Sequence, residues 1–424
     1  MKQQGMVHIV GVDLECGSKK IVIPEAAVTN CAAIIGTNRF LQVLTETVKI
    51  PDGCELVEIS PLDTALAALS THHENGRDTV ILASGDPLFY GIGRKITNLL
   101  GTRYTRFYPA LSSMQLAFSR LGIPWDDARL LSLHGRTERN YLGKILSSTK
   151  TALLTDGHHR AQVIAQEMCE FLGVDQYRFT LHVVENIGGE GERIFSGSPE
   201  EAAQHNFASL SVVIVVKNSG MDVSMCVPAS RYPYGFGLTE QDIEHSRGLI
   251  TKHEIRAAAL HLLQVPSNSI LWDVGAGSGS VGLEAARMHR DALVYAVEKN
   301  DEQHRNILAN KKKFDLVNLK LVQGAAPSAL NDLPAPDRVF IGGSGGNLSD
   351  IIRFCNEELP EQGVMIVTAV LEKTRQLAPQ IMYDCGLQVE LHTIAVTRQK
   401  YPETSETPLN PITIIVGRKQ PIKE

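Results

Sequence analysis

Short apolar runs alternate with segments of helical period along most of this chain, and they fall into two groups. In the first group, Val7–Val12 and the runs at 32–35, 79–83, 130–133, 151–155, 179–184 and 212–216 have the length and β-branched content of strands. Positions 88–100, 113–121 and 160–172 repeat their apolar residues at helical spacing. An α/β domain over 1–217 is expected, in two lobes, because its later strands mix polar and apolar positions more than its early ones. Periodicity then lapses over 218–238, where Gly220, Pro228, Pro233, Gly235 and Gly237 mark a linker. The second group, over 239–424, reads helix 253–263, strand 270–274, helix 280–288, strand 293–297, helix 301–313 and strand 318–322. Strand 338–341, helix 347–358, strand 363–369, helix 371–384 and strands 387–396 and 411–417 follow. Such alternation predicts a Rossmann-like domain with a mainly parallel sheet covered on both faces.

The most informative stretch lies at the first strand of that second domain. Ile270, Leu271 and Val274 lead through Asp273 into a turn holding Gly275, Gly277 and Gly279, and a second apolar run ends in Glu298. Strand, glycine turn, helix, strand and acid is the order of a nucleoside-binding unit, in which the distal carboxylate accepts hydrogen bonds from ribose hydroxyls. Two registers are open. Gly277, Gly279 and Gly282 spell G-x-G-x-x-G, the dinucleotide fingerprint of an NAD-dependent oxidoreductase. Asp273, Gly275, Gly277 and Gly279 instead resemble the first motif of class I S-adenosylmethionine (SAM) methyltransferases. An acid directly before the turn opposes a diphosphate at the helix N-terminus, whereas SAM is cationic at its sulfonium and ammonium. The SAM register is therefore preferred.

Composition narrows the partners. With 424 residues and a net charge of −6, the chain has length for two or three domains and none of the basic excess of nucleic-acid binders. The seven cysteines are dispersed without C-x-x-C or zinc-type spacing, so free thiols and no metal site are expected. The chain shows neither a signal-peptide core nor an apolar run long enough for a membrane span, and a cytoplasmic protein is expected.

Further motifs extend the resemblance. Ile250, Thr251, Lys252, Glu254 and Arg256, then Trp272 through Ser280, Tyr295 through Glu298, Gly324 with Ala326 and Pro327, and the Gly342–Gly346 loop follow in order. Read locally, Thr251 and Glu254 form a helix capping box. Four glycines at 342–346 exceed the needs of a plain turn and suggest a substrate-facing loop. The set resembles the decarboxylating C15-methyltransferases of cobalamin biosynthesis from about Gly237 to Gly417, with an antiparallel closing pair of strands as in class I methyltransferases. The resemblance implies that Thr251, Gly275, Ala276, Gly277, Ser278, Gly279, Glu298 and Ala326 contact SAM. Ala325 stands where that family usually has an acid.

In the first domain, Gly85, Asp86 and Pro87 are followed by Phe89, Gly91, Gly93 and Arg94. Pro109 with Ser112 and Ser113, then Leu131 with His134, Gly135 and Arg136, come next. This series resembles the class III tetrapyrrole methylases, in particular the C5-methylating kind acting on precorrins. It implies a second SAM site at Gly85, Asp86, Pro87, Ser112 and Ser113, and a homo-oligomer. The family's first loop has a proline that the Gly11–Gly17 segment lacks, and a scaffold with a degenerate first domain remains an alternative on that ground.

Methyl transfer from a sulfonium is an in-line displacement at carbon, so catalysis rests largely on holding reactants in near-attack geometry. No nucleophile–base constellation is needed, and none is evident. A precorrin carries many carboxylates, so Lys252, His253 and Arg256 in one domain, and Arg94, His134 and Arg136 in the other, are substrate-facing candidates beside Gly343 and Ser344. Whether the substrate holds cobalt is open from the sequence. An RNA-modifying methyltransferase with two SAM sites is a further alternative, which the net charge disfavours.

Overall fold

A computed structural model describes residues 4–12, 23–29, 31–134, 138–189, 191–218, 235–402 and 405–420. It divides into two compact units, one of residues 1–137, 150–166 and 180–216, the other of 138–149, 167–179 and 217–424. The division is therefore not one cut in the chain. Asn140 belongs with the second unit, where its Nδ2 donates to the carbonyls of Ser269 and Asp291 at 3.2 and 3.1 Å.

The first unit contains two five-stranded sheets. One has the order β3-β2-β4-β1-β5, from β1 (Val7–Val12), β2 (Cys31–Gly36), β3 (Glu55–Glu58), β4 (Asp78–Ser84) and β5 (Thr105–Tyr108). All its pairings are parallel. Its central strands are buried on both faces, which is why β1 and β4 read as unbroken apolar runs. The other has the order β6-β7-β10-β8-β9, from β6 (Arg129–Ser132), β7 (Lys150–Leu154), β8 (Phe179–Glu185), β9 (Arg193–Gly197) and β10 (Ser211–Lys217). It mixes parallel and antiparallel pairs. The expected helix over 88–100 starts only at Gly93, because Tyr90 adopts a positive φ of 54° in a turn.

The second unit is built on one seven-stranded sheet of order β13-β12-β11-β14-β15-β19-β16. Its strands are β11 (Ile270–Val274), β12 (Leu293–Glu298), β13 (Leu319–Gln323), β14 (Arg338–Ile341), β15 (Val364–Ala369), β16 (Leu387–Ile394) and β19 (Ile412–Lys419). Five neighbouring strands, β13 through β15, are parallel, and β19 runs antiparallel to both β15 and β16. A small antiparallel pair, β17 (Thr397–Gln399) and β18 (Glu406–Pro408), interrupts the connection between β16 and β19. Leu271, Val294, Ala296, Phe340 and Ile366 from the strands pack with Ile255, Leu260, Val281 and Ile307 from the helices in one core.

Chain order fixes where this sheet opens. From β11 the chain moves outward through β12 to β13, then returns to the other side of β11 for β14 and β15. The loops leaving β11 and β14 therefore part at the carboxyl edge of the sheet, the switch point at which open α/β sheets bind ligands. Among the described residues no helix is long and apolar enough to cross a membrane.

Candidate functional site

At that switch point the two glycine loops touch. Gly275 has φ +65°, and a Cβ on it would stand 2.1 Å from the Gly343 carbonyl oxygen, so only glycine fits. The N–H groups of Gly275 and Ala276 donate to the Val297 carbonyl at 2.9 and 3.1 Å, and that of Gly342 donates to the Val274 carbonyl at 2.9 Å. The loops after β11, β12, β13 and β14 thus share one edge. Together they line an open cleft whose walls include Gly275, Glu298, Ala326, Gly343 and Ser344.

Glu298 sits at the end of β12 and reaches back to the turn. One carboxylate oxygen accepts from Gly277 N–H at 2.8 Å, and the other from the N–H groups of Lys299 and Asn300 at 2.9 and 3.0 Å. Of the carboxylate's roughly four acceptor sites one remains for a hydroxyl donor. Gly324 N–H donates to the Glu298 carbonyl at 2.9 Å, which brings the small residues Ala325 and Ala326 to the opposite wall.

Asp273 plays a different part from the one its position before the turn suggested. It is fully buried, and its Oδ2 accepts from Gly282 N–H at 2.8 Å, fastening the start of helix Ser280–Met288 to β11. Gly282 must lack a side chain, since a Cβ there would lie 2.7 Å from that oxygen. Burial, with a smaller contribution from Glu298, pushes the Asp273 carboxyl up to about 7. The acid that faces the cleft is Glu298, so the contrast between the two nucleosides rests on other groups. The N–H groups of Gly277, Gly279 and Gly282 are taken by Glu298, the Ala276 carbonyl and Asp273. A diphosphate in the G-x-G-x-x-G register needs such donors free. Their occupation favours the donor that carries no phosphate.

The expectations for the approach to helix His253–Leu263 need correction. Lys252, not Thr251, is the N-cap, without a side-chain cap bond, and Glu254 turns instead to Arg398 at 2.6 and 2.7 Å. Thr251 does not appear in the cleft wall; its carbonyl accepts from Arg256 Nη1 at 2.8 Å. Arg256 is no substrate-facing cation. It is 0 % exposed and pairs with Glu284, also donating to the Leu238 carbonyl, while Glu284 accepts from the N–H of Leu238 at 2.7 Å. A charge closed in this way is committed to structure, because pairing and hydrogen bonding are what make its burial tolerable.

His253 lies 2.8 Å from Glu240 and 3.2 Å from Glu254, and Arg398 bridges both acids. The three could converge on a metal ion, but the guanidinium already compensates their charge. Lys252 is half-buried beside them. Ser278 is buried, with its carbonyl accepting from Asn310 at 3.2 Å. Of the cofactor set carried over from the resemblance, Gly275, Glu298 and Ala326 line the cleft, and Ala276, Gly277, Ser278 and Gly279 form the turn behind it.

In the first unit, two of the noted loops meet. Gly85, with φ +61°, donates to the Val12 carbonyl at 3.0 Å, and its own carbonyl accepts from Ala110 N–H at 3.3 Å. Asp86 Oδ1 accepts from Leu88 N–H at 2.9 Å, and the Pro87 carbonyl from Gly93 N–H at 2.9 Å, which shapes the turn after β4. Ser112 caps the helix Ser113–Leu121 in a capping box with Gln115. Loops 85–87 and 110–113 therefore stand together at the carboxyl edge of β4, β1 and β5. Arg94 and His134 are exposed. Arg136 and most of the Gly11–Gly17 loop lie outside the described residues.

Two residues of the second unit have no counterpart in the sequence reading. Lys299 lines the cleft next to Glu298, and Arg398 anchors the β17–β18 pair to the start of helix His253–Leu263. A motif read as ending in its acid passes over Lys299, and the partners of Arg398 are more than 140 positions away in the chain.

Comparison with known proteins agrees with both halves. Residues 242–416 match the family described as precorrin methyltransferase domain, and residues 25–203 match the tetrapyrrole (corrin/porphyrin) methylases. A precorrin-6Y C(5,15)-methyltransferase [decarboxylating] from Sinorhizobium sp is 33 % identical over 312 residues, covering 74 % of this chain and 72 % of the relative. A probable cobalt-precorrin-6B C(15)-methyltransferase (decarboxylating) from Pyrobaculum calidifontis is 36 % identical over 192 residues, 44 % of this chain and 98 % of that protein. The crystal structure of a precorrin-6Y C5,15-methyltransferase from Geobacter metallireducens shares 37 % identity and covers 44 % of this chain and 98 % of its own, with a TM-score of 0.43. The chain belongs to the family of decarboxylating precorrin-6Y C5,15-methyltransferases.

Proposed function

We propose that this chain methylates a precorrin at C5 and at C15, with SAM as donor, and decarboxylates the acetate arm at C12, which loses CO₂ and stays as a methyl group, in the making of the corrin ring. The observation that carries the reading is the cleft at the switch point of the second sheet, walled by two glycine loops and the Glu298 carboxylate. It stands in a chain whose other half matches tetrapyrrole methylases. Each half is assigned its own SAM site: Gly85, Asp86, Pro87, Ser112 and Ser113 in the first, the turn of Gly275–Gly279 with Glu298 and Ala326 in the second. A cytoplasmic homo-oligomer fits this role.

The residues present suit such a donor. Its sulfonium supplies the methyl group, and the nucleophile is an electron-rich meso carbon of the reduced macrocycle. Glu298 accepts from ribose hydroxyls while keeping hold of Gly277, so the turn stays in place as the nucleoside is bound. Ala325 and Ala326 leave the opposite wall flat enough for a base. Gly343 and Ser344 border the same space and limit how the acceptor carbon approaches. These groups position and desolvate, which is what a displacement at carbon asks of a protein. Loss of CO₂ from the acetate arm leaves its electron pair to be taken up by a protonated ring imine, and a proton then replaces the carboxylate on the methylene.

The test is incubation of the purified chain with SAM and precorrin-6Y, with the product read by mass. Two methyl additions and one CO₂ loss are expected. A product that gains methyl groups but keeps every carboxylate contradicts the assignment of the second unit, and an unchanged tetrapyrrole contradicts the whole reading.

A further inference from the structure

The cleft of the second unit has two charged residues in its walls, Glu298 and Lys299. Glu298 is occupied with the turn and with the N–H groups of Lys299 and Asn300. Lys299 is exposed, and among the described residues its ammonium forms no ion pair. It extends from the end of β12 toward the loop after β14, so that Nζ lies 2.8 Å from where a Cβ on Gly345 would stand. A lysine therefore bridges the end of β12 and the loop after β14 in the cleft wall.

Two other cations of this unit are committed elsewhere. Arg256 is enclosed with Glu284, and Arg398 is held by Glu240 and Glu254, which also flank His253. Resting on the function proposed above, the acceptor is a polycarboxylate, and an unpaired ammonium beside the Gly342–Gly346 loop is complementary to it. The geometry points to Lys299 as the residue that grips a side-chain carboxylate of the tetrapyrrole and sets its C15 edge against the donor.

Chemistry restricts which carboxylate that is. An ammonium paired with the departing acetate stabilises the ionised ground state more than the neutral CO₂ that leaves, and so slows decarboxylation. Lys299 therefore holds one of the carboxylates that the product retains. It acts on binding and register rather than on the bond-breaking step. Its charge also repels the donor's sulfonium until the acceptor's carboxylate compensates it, so removing it leaves donor affinity unchanged or tightens it.

The experiment uses the full chain with Lys299→Ala and Lys299→Arg, SAM and precorrin-6Y. C5 and C15 methylation are followed separately by mass and fragmentation. Loss of one charge-assisted contact predicts a rise in tetrapyrrole KM for the C15 step of about 10- to 100-fold in the alanine variant. Its kcat should stay within about threefold, SAM affinity at the second site should be unchanged or tighter, and arginine should restore most of the loss. C5 methylation by the first unit of the same chain is the internal reference and should not change. An unaltered C15 KM overturns the proposal. So does a loss of SAM affinity as large as the KM rise, which assigns Lys299 to the donor, or a fall in kcat at unchanged KM. A wild-type chain that leaves precorrin-6Y untouched is a different failure, that of the function itself.

Discussion

Replacing Glu298 separates ligand recognition from fold. Its carboxylate makes three backbone hydrogen bonds, to Gly277, Lys299 and Asn300, at 2.8–3.0 Å. Glu298→Ala removes the acceptor for the ribose and also the tie that holds the turn's middle glycine. Hydrogen bonds to a charged acceptor are worth roughly 1.5–3 kcal/mol each. Losing one ribose contact together with part of the turn's order should cost about 2–4 kcal/mol of donor binding, or roughly 30- to 700-fold in Kd. Glu298→Gln keeps the shape and one oxygen, and should cost about tenfold. Calorimetric titration of the intact chain with SAM resolves this, because only the second unit's isotherm should weaken while the first unit's remains. A melting profile of each variant shows whether the unit is still folded. Unchanged affinity at both sites in a folded Glu298→Ala chain refutes the ribose assignment, and equal weakening at both refutes the locality of the effect.

Other outcomes follow from the same geometry. Arg256→Ala leaves Glu284 buried without its cation and should destabilise the second unit by about 3–5 kcal/mol, seen as an earlier unfolding transition in urea; a purely kinetic effect on tetrapyrrole KM would contradict its structural role. Gly275→Ala must push the loop after β14 aside and take up a strained φ, so donor binding at the second site should be lost while C5 methylation continues. Asp273 has a folded pKa raised to about 7, above its unfolded value near 3.8. The folded chain therefore holds an extra proton between those values, and stability falls as pH rises from about 4 to about 7, then levels off. Asp273→Asn keeps an acceptor for Gly282 and should flatten this slope, stabilising the unit more at pH 8 than at pH 5 in denaturation curves. An unchanged slope would show that Asp273 is not its source.

What the sequence disclosed depended on how local each signal was. β11 and β12 are buried along nearly their whole length, so their apolar runs stood out, and the glycines and the acid that end them lie within one continuous unit. β3 and β9 escaped notice because they are largely exposed and carry little apolar patterning. The β17–β18 pair is too short to give any period. Arg256 read as a substrate-facing cation because its partner, Glu284, comes 28 positions later on another helix. Asp273 was read by its place in the chain as a charge beside the ligand, whereas its side chain is buried against the N–H of Gly282 in the following helix. The pairing of Arg398 with two distant acids left no sequence trace at all.

The central claim is that the cleft between the Gly275–Gly279 turn, Glu298 and the Gly342–Gly346 loop holds the methyl donor for the C15 transfer. A crystal structure of the full chain with S-adenosylhomocysteine tests it most directly. The nucleoside should lie in this cleft with a ribose hydroxyl on the Glu298 carboxylate and its base against Ala325 and Ala326. Density for the nucleoside elsewhere in the second unit, with this cleft filled only by water, would contradict the claim.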